Sequence, residues 1–399
     1  MNDVNSAILK HGPQGKKPKE EELNSFRLTD EQLEFGALAR EFCEKRVFPI
    51  TRELDEEGLP DELISELTEL GYLGASIPTE YEGMGVDPFA LTCIIEEFAR
   101  ANAGLVTLIA AHLSLGCKTF ELFGSEKQKQ KYLPQMAKGG ITSFCLTEPD
   151  AGTDVFSIRT KAESKGDNYI LNGEKQFITS ANMAKFFVVF CKTESGPTAF
   201  LVERNTDGLT VGSPEKKLGI RASTQCSVHF QDVSIPSDNM IGKVGKGLRV
   251  ALNVLDYGRL GVAAGALGIA EQAFSEAVEY AQNRIQFGKS IASFQATQFK
   301  FADMRMEIDA SRYLLYYATA KACEGKRFII EAAEAKLKAS EVASLVTDEN
   351  IQIHGGYGYT QDYNAERLWR DARITRIYEG TSEAMRMIIG GEYRTKKEP

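Results

Sequence analysis

The heptapeptide IYEGTSE, residues 377–383, sets one carboxylate, Glu379, between Tyr378 and Gly380, with Thr381 and Ser382 close behind. A carboxylate on a solvated helix serves solubility. One at a glycine-broken turn can be aimed at a substrate and used as a base. Three other stretches carry residue types suited to ligands. FCLTEPDAGTD, residues 144–154, holds Gly152 and Thr153, which could offer N–H groups and a hydroxyl to an anion or a polar ring edge. Pro149, Asp150 and Gly152 are equally ordinary residues of a turn between domains. RIQFGKSI, residues 284–291, carries Arg284, which could grip a phosphate through two N–H groups or simply cap a helix end. QIHGGYGYT, residues 352–360, ends a helical pattern in Gly355-Gly356, which suits close backbone approach to a ligand and also a plain helix stop. The four histidines and seven cysteines are scattered without metal-ligand spacing, so no metal site is expected.

The composition limits the alternatives. A net charge of -9 at pH 7 disfavours binding to a nucleic-acid backbone. Cysteines without a disulfide-like pattern, in a chain whose start lacks an apolar signal segment, point to free thiols in a reducing, cytoplasmic compartment. No apolar run is expected to span a membrane. Residues 1–25, rich in Gly, Pro, Lys and Glu, read as a polar tail.

The elements that position these motifs fall into three blocks, predicting a mainly helical α+β multidomain fold. Residues 26–143 carry apolar positions at helical spacing, opening on Thr29 with Gln32 three residues later, a capping-box pattern. Residues 144–247 change to short β-branched and aromatic runs separated by Asn172-Gly173 and Asp207-Gly208, predicting an antiparallel sheet or barrel. Residues 248–399 return to long helical periods with short connections, three or four helices that predict an antiparallel bundle.

In this order and at these spacings, LTEPDAGTD, NGEKQFIT, LDYGR, RIQFGKSI, FQATQ, QIHGGYGYT and RDARITRIYEGTSE resemble the acyl-CoA dehydrogenase family, from about Phe26 to Arg394. The resemblance implies an N-terminal helical domain, a middle β-barrel and a C-terminal four-helix bundle around FAD. Phe144, Leu146 and Thr147 would run along the flavin ring, with Thr147 bonding its pyrimidine edge, and Gly152 and Thr153 would lie near the pyrophosphate. Thr153 would also stand at the substrate. Phe177, Ile178 and Thr179 would pack on the ring from the barrel side, with Phe177 where many relatives carry Trp. Arg284, Gln286, Phe287 and Gln295, with Gln352, Ile353, His354, Gly355 and Gly356, would reach the adenosine half of an FAD held mainly by a neighbouring subunit. Thr381, Ser382 and Glu383 would contact the FAD that their own subunit buries. A homotetramer is implied, because the cofactor site is completed across an interface.

The same resemblance makes Glu379 the base that takes the α-proton of an acyl-CoA while hydride leaves the β-carbon for flavin N5. Asp256, Tyr257, Arg259, Tyr378 and Gly380 would contact the substrate. Relatives with the base on the LDYGR helix have an acid one residue before the Arg; here that residue is Gly258, which agrees with Glu379. Arg259 read alone would be a helix-surface salt bridge. The long LDYGR helix is most similar to the short-chain, butyryl-type branch, with electron-transferring flavoprotein as acceptor. Medium-chain or branched-chain substrates, an oxidase of the same fold, or a non-catalytic or nucleic-acid-associated flavoprotein are the alternatives. Residues around 100–112 and 252–260, including Leu105, Leu108 and Tyr257, are expected to set acyl length. One methylene discriminates by only about 1–3 kcal/mol, so neighbouring lengths should overlap.

Overall fold

Thr29 opens the first helix, α1 (Asp30–Phe42), through the capping box that the sequence predicts. Its Oγ1 accepts from the Gln32 amide at 3.2 Å, while Gln32 Oε1 accepts from the Thr29 amide at 2.9 Å. The computed structural model describes residues 28–394, so the polar tail assigned to residues 1–25 lies outside the described residues. Helices α2 (Thr51–Glu57), α3 (Asp61–Glu69), α4 (Pro88–Ala101), α5 (Ala103–Ala110), α6 (Lys118–Phe123) and α7 (Glu126–Ala137) complete the first block. Asp87 caps α4 and Asn102 caps α5, each accepting from an amide three residues on.

A π-helical segment, Ala111–Cys117, joins α5 to α6. It carries His112 inward, where the Thr142 amide donates to Nδ1 at 3.1 Å and Nε2 meets the Leu73 carbonyl at 3.0 Å. Burial pushes His112 down to about 4, so it stays neutral and ties the first helical block to the start of the sheet. The run Ala103–Phe123 corrects one expectation: by length and composition it could cross a membrane. In this fold 83% of its most apolar 18-residue stretch is buried inside the protein, as in a core helix.

The second block is one eight-stranded sheet. Its strands are β1 (Thr142–Cys145), β2 (Lys161–Lys165), β3 (Asn168–Thr179), β4 (Phe186–Thr193), β5 (Gly196–Glu203), β6 (Leu209–Val211), β7 (Gln225–Pro236) and β8 (Met240–Ile241). The hydrogen-bonded order is β6-β7-β3-β2-β4-β5-β8, with β1 on β4. The expected purely antiparallel sheet is mixed, because β1 and β2 both pair parallel to β4. Along β4, Phe186, Val188 and Phe190 enter one apolar core and Phe187, Val189 and Cys191 the other, so both faces are covered. In β3 the register against β7 shifts between Lys175 and Ile178. The bulge reverses side-chain parity there: Lys175 and Ile178 are buried, while Phe177 turns out to solvent in a left-handed conformation, φ 57°.

The third block holds three long helices, α8 (Gly247–Asn283), α9 (Gln295–Cys323) and α10 (Ile329–His354), with a tight hairpin of β9 (Ile285–Gln286) and β10 (Lys289–Ser290) between the first two. Two short helices, α11 (Ala365–Ile374) and α12 (Ser382–Gly391), follow. Arg312 on α9 joins Glu96 on α4 at 2.6 Å and Glu271 on α8 at 2.7 Å, pinning the first and third blocks together. On α11, Asp371 pairs with Arg367 at 3.1 Å and accepts from the Ile220 amide at 2.5 Å, which fixes the approach to the terminal turn.

Candidate active site

The segment after α11 closes into a tight loop. The Tyr378 amide donates to the Ile374 carbonyl at 3.1 Å, and the Ser382 amide to the Arg376 carbonyl at 3.0 Å. Inside this loop Glu379 takes φ 53° and Gly380 φ 105°. A left-handed glutamate costs about 1–2 kcal/mol, a strain typical of functional sites. Glycine suits position 380 because φ 105° is a conformation that side chains rarely adopt, and a Cβ there would also press on Met385 Cε at 2.5 Å. Thr381 then caps α12 through the Ala384 amide at 3.1 Å, so its hydroxyl has a structural task.

The turn aims the Glu379 side chain at α8. A Cβ built on Gly258 would sit 2.0 Å from Glu379 Oε2 and 2.7 Å from Leu115 Cδ2, so the carboxylate occupies the space that the missing side chain leaves. Oε2 is buried without a hydrogen-bond partner, although Glu379 as a whole is half-buried. Burial pushes its carboxyl up to about 7, against the opposing pull of Lys336 and Arg259. An unsatisfied buried carboxylate near neutrality costs stability and suits a base.

Arg259 is not the surface salt bridge that the isolated residue suggests. It and Asp256 are each 5% exposed, joined at 2.7 Å, and Arg259 Nε also donates to the Glu379 carbonyl at 3.4 Å. The pair stands beside the base and holds its backbone. Burial pushes Asp256 up to about 6. Tyr378 is half-buried, and burial raises its phenol above the ordinary value.

The Leu146–Glu148 segment is pinned from below. Lys175 Nζ, fully buried, donates to the Leu146 carbonyl at 3.0 Å and to Glu148 Oε1 at 2.8 Å. Glu148 also accepts from the Arg159 and Thr160 amides, and the Gln176 amide donates to the Thr147 carbonyl at 2.9 Å. Phe144 and Thr147 are left half-buried, while Gly152 and Thr153 are exposed. A Cβ on Gly152 would meet nothing within 4 Å. Phe177 is 62% exposed, whereas Leu146 and Ile178 turn into the cores; only their backbone remains for a ligand. Thr179 is half-buried, and Ser382 Oγ is buried without a partner. An exposed aromatic face beside open backbone fits a flat ring with polar edges and an anionic tail, and the Ser382 hydroxyl is a separate unpaired donor.

The remaining predicted residues gather elsewhere. Arg284 ends α8, about 40 Å from Gly258 at 1.5 Å per residue. Its guanidinium lies 5.6 Å from the Tyr357 ring centre, which brings RIQFGKSI beside QIHGGYGYT. Gln286, Gln295, Gln352, Gly355 and Gly356 are exposed there, Ile353 is half-buried, and Phe287 at the hairpin tip is 94% exposed. His354 departs from this set. Its ring is buried, stacked 4.1 Å from Tyr280, with Nδ1 at 2.9 Å from the Asn350 carbonyl. Glu383 is exposed.

Between α4 and α8, one turn from Gly258, lies a cavity of about 40 Å³ lined by residues including Leu91, Thr92, Ile95, Ser114, Tyr257 and Gly261. Tyr257 is placed there as expected, but Leu105 and Leu108 are buried in the core and do not line it. Sequence reasoning also passed over Lys336. It falls on the same stripe of α10 as Ala332 and Ala339, and a charge at a core position is the signal that could have found it.

The chain matches family profiles described as acyl-CoA dehydrogenase N-terminal domain over residues 29–140, middle domain over residues 143–233 and C-terminal domain over residues 245–393. It is 46% identical to the short-chain specific acyl-CoA dehydrogenase of Megasphaera elsdenii, covering 92% of this chain and 98% of that one. The solved butyryl-CoA dehydrogenase of the same organism superposes with a TM-score of 0.91 at 44% identity, over 92% of this chain and 99% of that one. A solved chain described under the electron transferring flavoprotein of Acidaminococcus fermentans gives a TM-score of 0.91 at 43% identity, over 93% and 100%.

Proposed function

The chain belongs to the acyl-CoA dehydrogenase family, and on that premise we propose that it oxidises a short-chain acyl-CoA to the trans-2-enoyl-CoA, with Glu379 as the base. The observation that carries this reading is the Glu379 carboxylate, held in a left-handed turn over Gly258 with Oε2 buried and unpartnered. FAD, when bound, supplies the hydride acceptor. Phe177 and the Phe144–Thr147 segment are the residues of this chain that would hold its ring, with Gly152 and Thr153 near the pyrophosphate and Ser382 a further contact.

Glu379 in its ionised form takes the α-proton onto a carboxylate oxygen. Its loop backbone is fixed beforehand by Arg259 and Lys336, so little reorganisation accompanies the transfer. The α-proton of a thioester is weakly acidic, and a base near 7 is matched to working pH better than an ordinary glutamate. Substrate that covers the half-buried face of Glu379 expels water and raises its basicity further.

The small cavity between α4 and α8 supports short acyl chains, since about 40 Å³ admits only a few water-sized groups. A panel of acyl-CoAs from C4 to C16, straight and branched, should bleach the flavin fastest at the short end under anaerobic conditions. Fastest bleaching by C12 to C16 would overturn the short-chain assignment.

The solved neighbour described under an electron transferring flavoprotein supports a protein of that kind as electron acceptor. A homo-oligomer, a tetramer by the family resemblance, is the assembly proposed, and the distance of about 40 Å along α8 between the Arg284 cluster and Gly258 supports it. One chain then contributes to two cofactor sites. Arg284→Ala should lose FAD and weaken the assembly together, read by bound flavin and by light scattering. Loss of flavin from an assembly of unchanged stability would contradict the shared site.

A further inference from the structure

The amine of Lys336 accepts no proton in the chemistry above, where it serves only as a backbone tether, yet it sits at 0% exposure in the first half of α10, among Ala332, Ala335 and Ala339. Burying a lysine ammonium is expensive unless acceptors or opposite charge face it. Its Nζ donates to the Gly380 carbonyl at 2.6 Å, the residue next to the base. The charges that face it are Glu379 and Glu383, which favour its protonated form, and Arg259, which opposes it. Burial pulls Lys336 down to about 8, so it is cationic at neutral pH. Arg259 is already neutralised by Asp256, leaving Lys336 as the uncompensated cation behind the carboxylate.

We propose that Lys336 is the positioning residue of the Glu379 base, locking the left-handed turn through the Gly380 carbonyl and supplying the charge that keeps the carboxylate ionised near neutral pH. This inference rests on the reading of Glu379 as the base. The two tasks are separable. Lys336→Gln keeps a donor near the Gly380 carbonyl and removes the charge; Lys336→Met removes both.

The test is an infrared titration of the protonated carboxyl band in glutamate-labelled protein, with Glu379→Gln assigning the band. In both Lys336 variants the Glu379 midpoint should move up by about one pH unit or more. Bleaching by butyryl-CoA should fall at pH 7 in both. Lys336→Gln should recover toward pH 9 as the carboxylate ionises, and Lys336→Met should recover less because its turn is untethered. If Lys336→Met does not fold, Lys336→Gln decides alone. A midpoint that stays in place or falls in the folded variant overturns the proposal, as does bleaching that drops equally at every pH. The titration needs no turnover, so a wild-type protein inert to acyl-CoA would sink the proposed function and leave this result readable.

Discussion

Glu379→Gln is expected to keep the fold and the flavin, and to slow bleaching by butyryl-CoA by roughly 10²–10⁴-fold or more. The amide is nearly isosteric with the carboxylate. Oε2 has no hydrogen-bond partner to lose, and the turn is held through the backbone by Arg259 and Lys336. What disappears is the carboxylate that takes the proton. Gly258 offers no side chain, Asp256 is buried against Arg259, and Glu383 points outward. The wild type should also show a limb in kcat/KM. The carboxyl is pushed up to about 7, so the base is ionised above that pH and protonated below it, and the rate falls as pH drops through 7. Stopped-flow mixing across pH measures both effects, and the limb should be missing from the residual rate of the variant.

Gly258→Ala should separate stability from catalysis. Alanine is favoured over glycine in a helix interior by about 0.5–1 kcal/mol. Yet its Cβ would fall 2.0 Å from Glu379 Oε2 and 3.0 Å from Glu379 Cδ. The carboxylate is the far end of a flexible side chain, so it swings away cheaply and carries the reactive oxygen out of line. A displacement of about 1 Å costs on the order of 100-fold in rate. Thermal unfolding should therefore change little while single-turnover bleaching drops sharply. Normal bleaching would mean that the carboxylate acts from another position. By the same contact, Gly258→Glu should be compatible with the site only when paired with Glu379→Gly.

Local features of the fold are legible in the sequence, and pairings across it are not. Thr29 and Gln32 mark a helix start because a capping box is a short-range bond pattern. Glu379 and Gly258 read together because each motif is contiguous. The parallel pairing of β1 with β4 joins residues more than 40 positions apart, and strand texture carries no partner address. Ile178 and His354 turn inward for a related reason. A bulge in β3 and a stack on Tyr280 decide their direction, and neither follows from residue type. Composition alone cannot distinguish the buried run Ala103–Phe123 from a membrane span, since both are apolar all round. Lys175 is buried against Glu148, 27 positions away in a different segment, and strand alternation names no such partner. Leu105 and Leu108 lie in the core and not along the small cavity, because helical spacing gives a face and not what covers it.

The central claim is that Glu379 removes the α-proton of an acyl-CoA. The most direct test mixes the FAD-loaded protein anaerobically with butyryl-CoA, unlabelled and deuterated at C2, and follows the flavin band in wild type and Glu379→Gln. Rapid wild-type bleaching that slows with deuterium at C2, and that all but vanishes in the variant, is the predicted result. Bleaching that ignores deuterium at C2, or that persists at near-normal rate in Glu379→Gln, would contradict it.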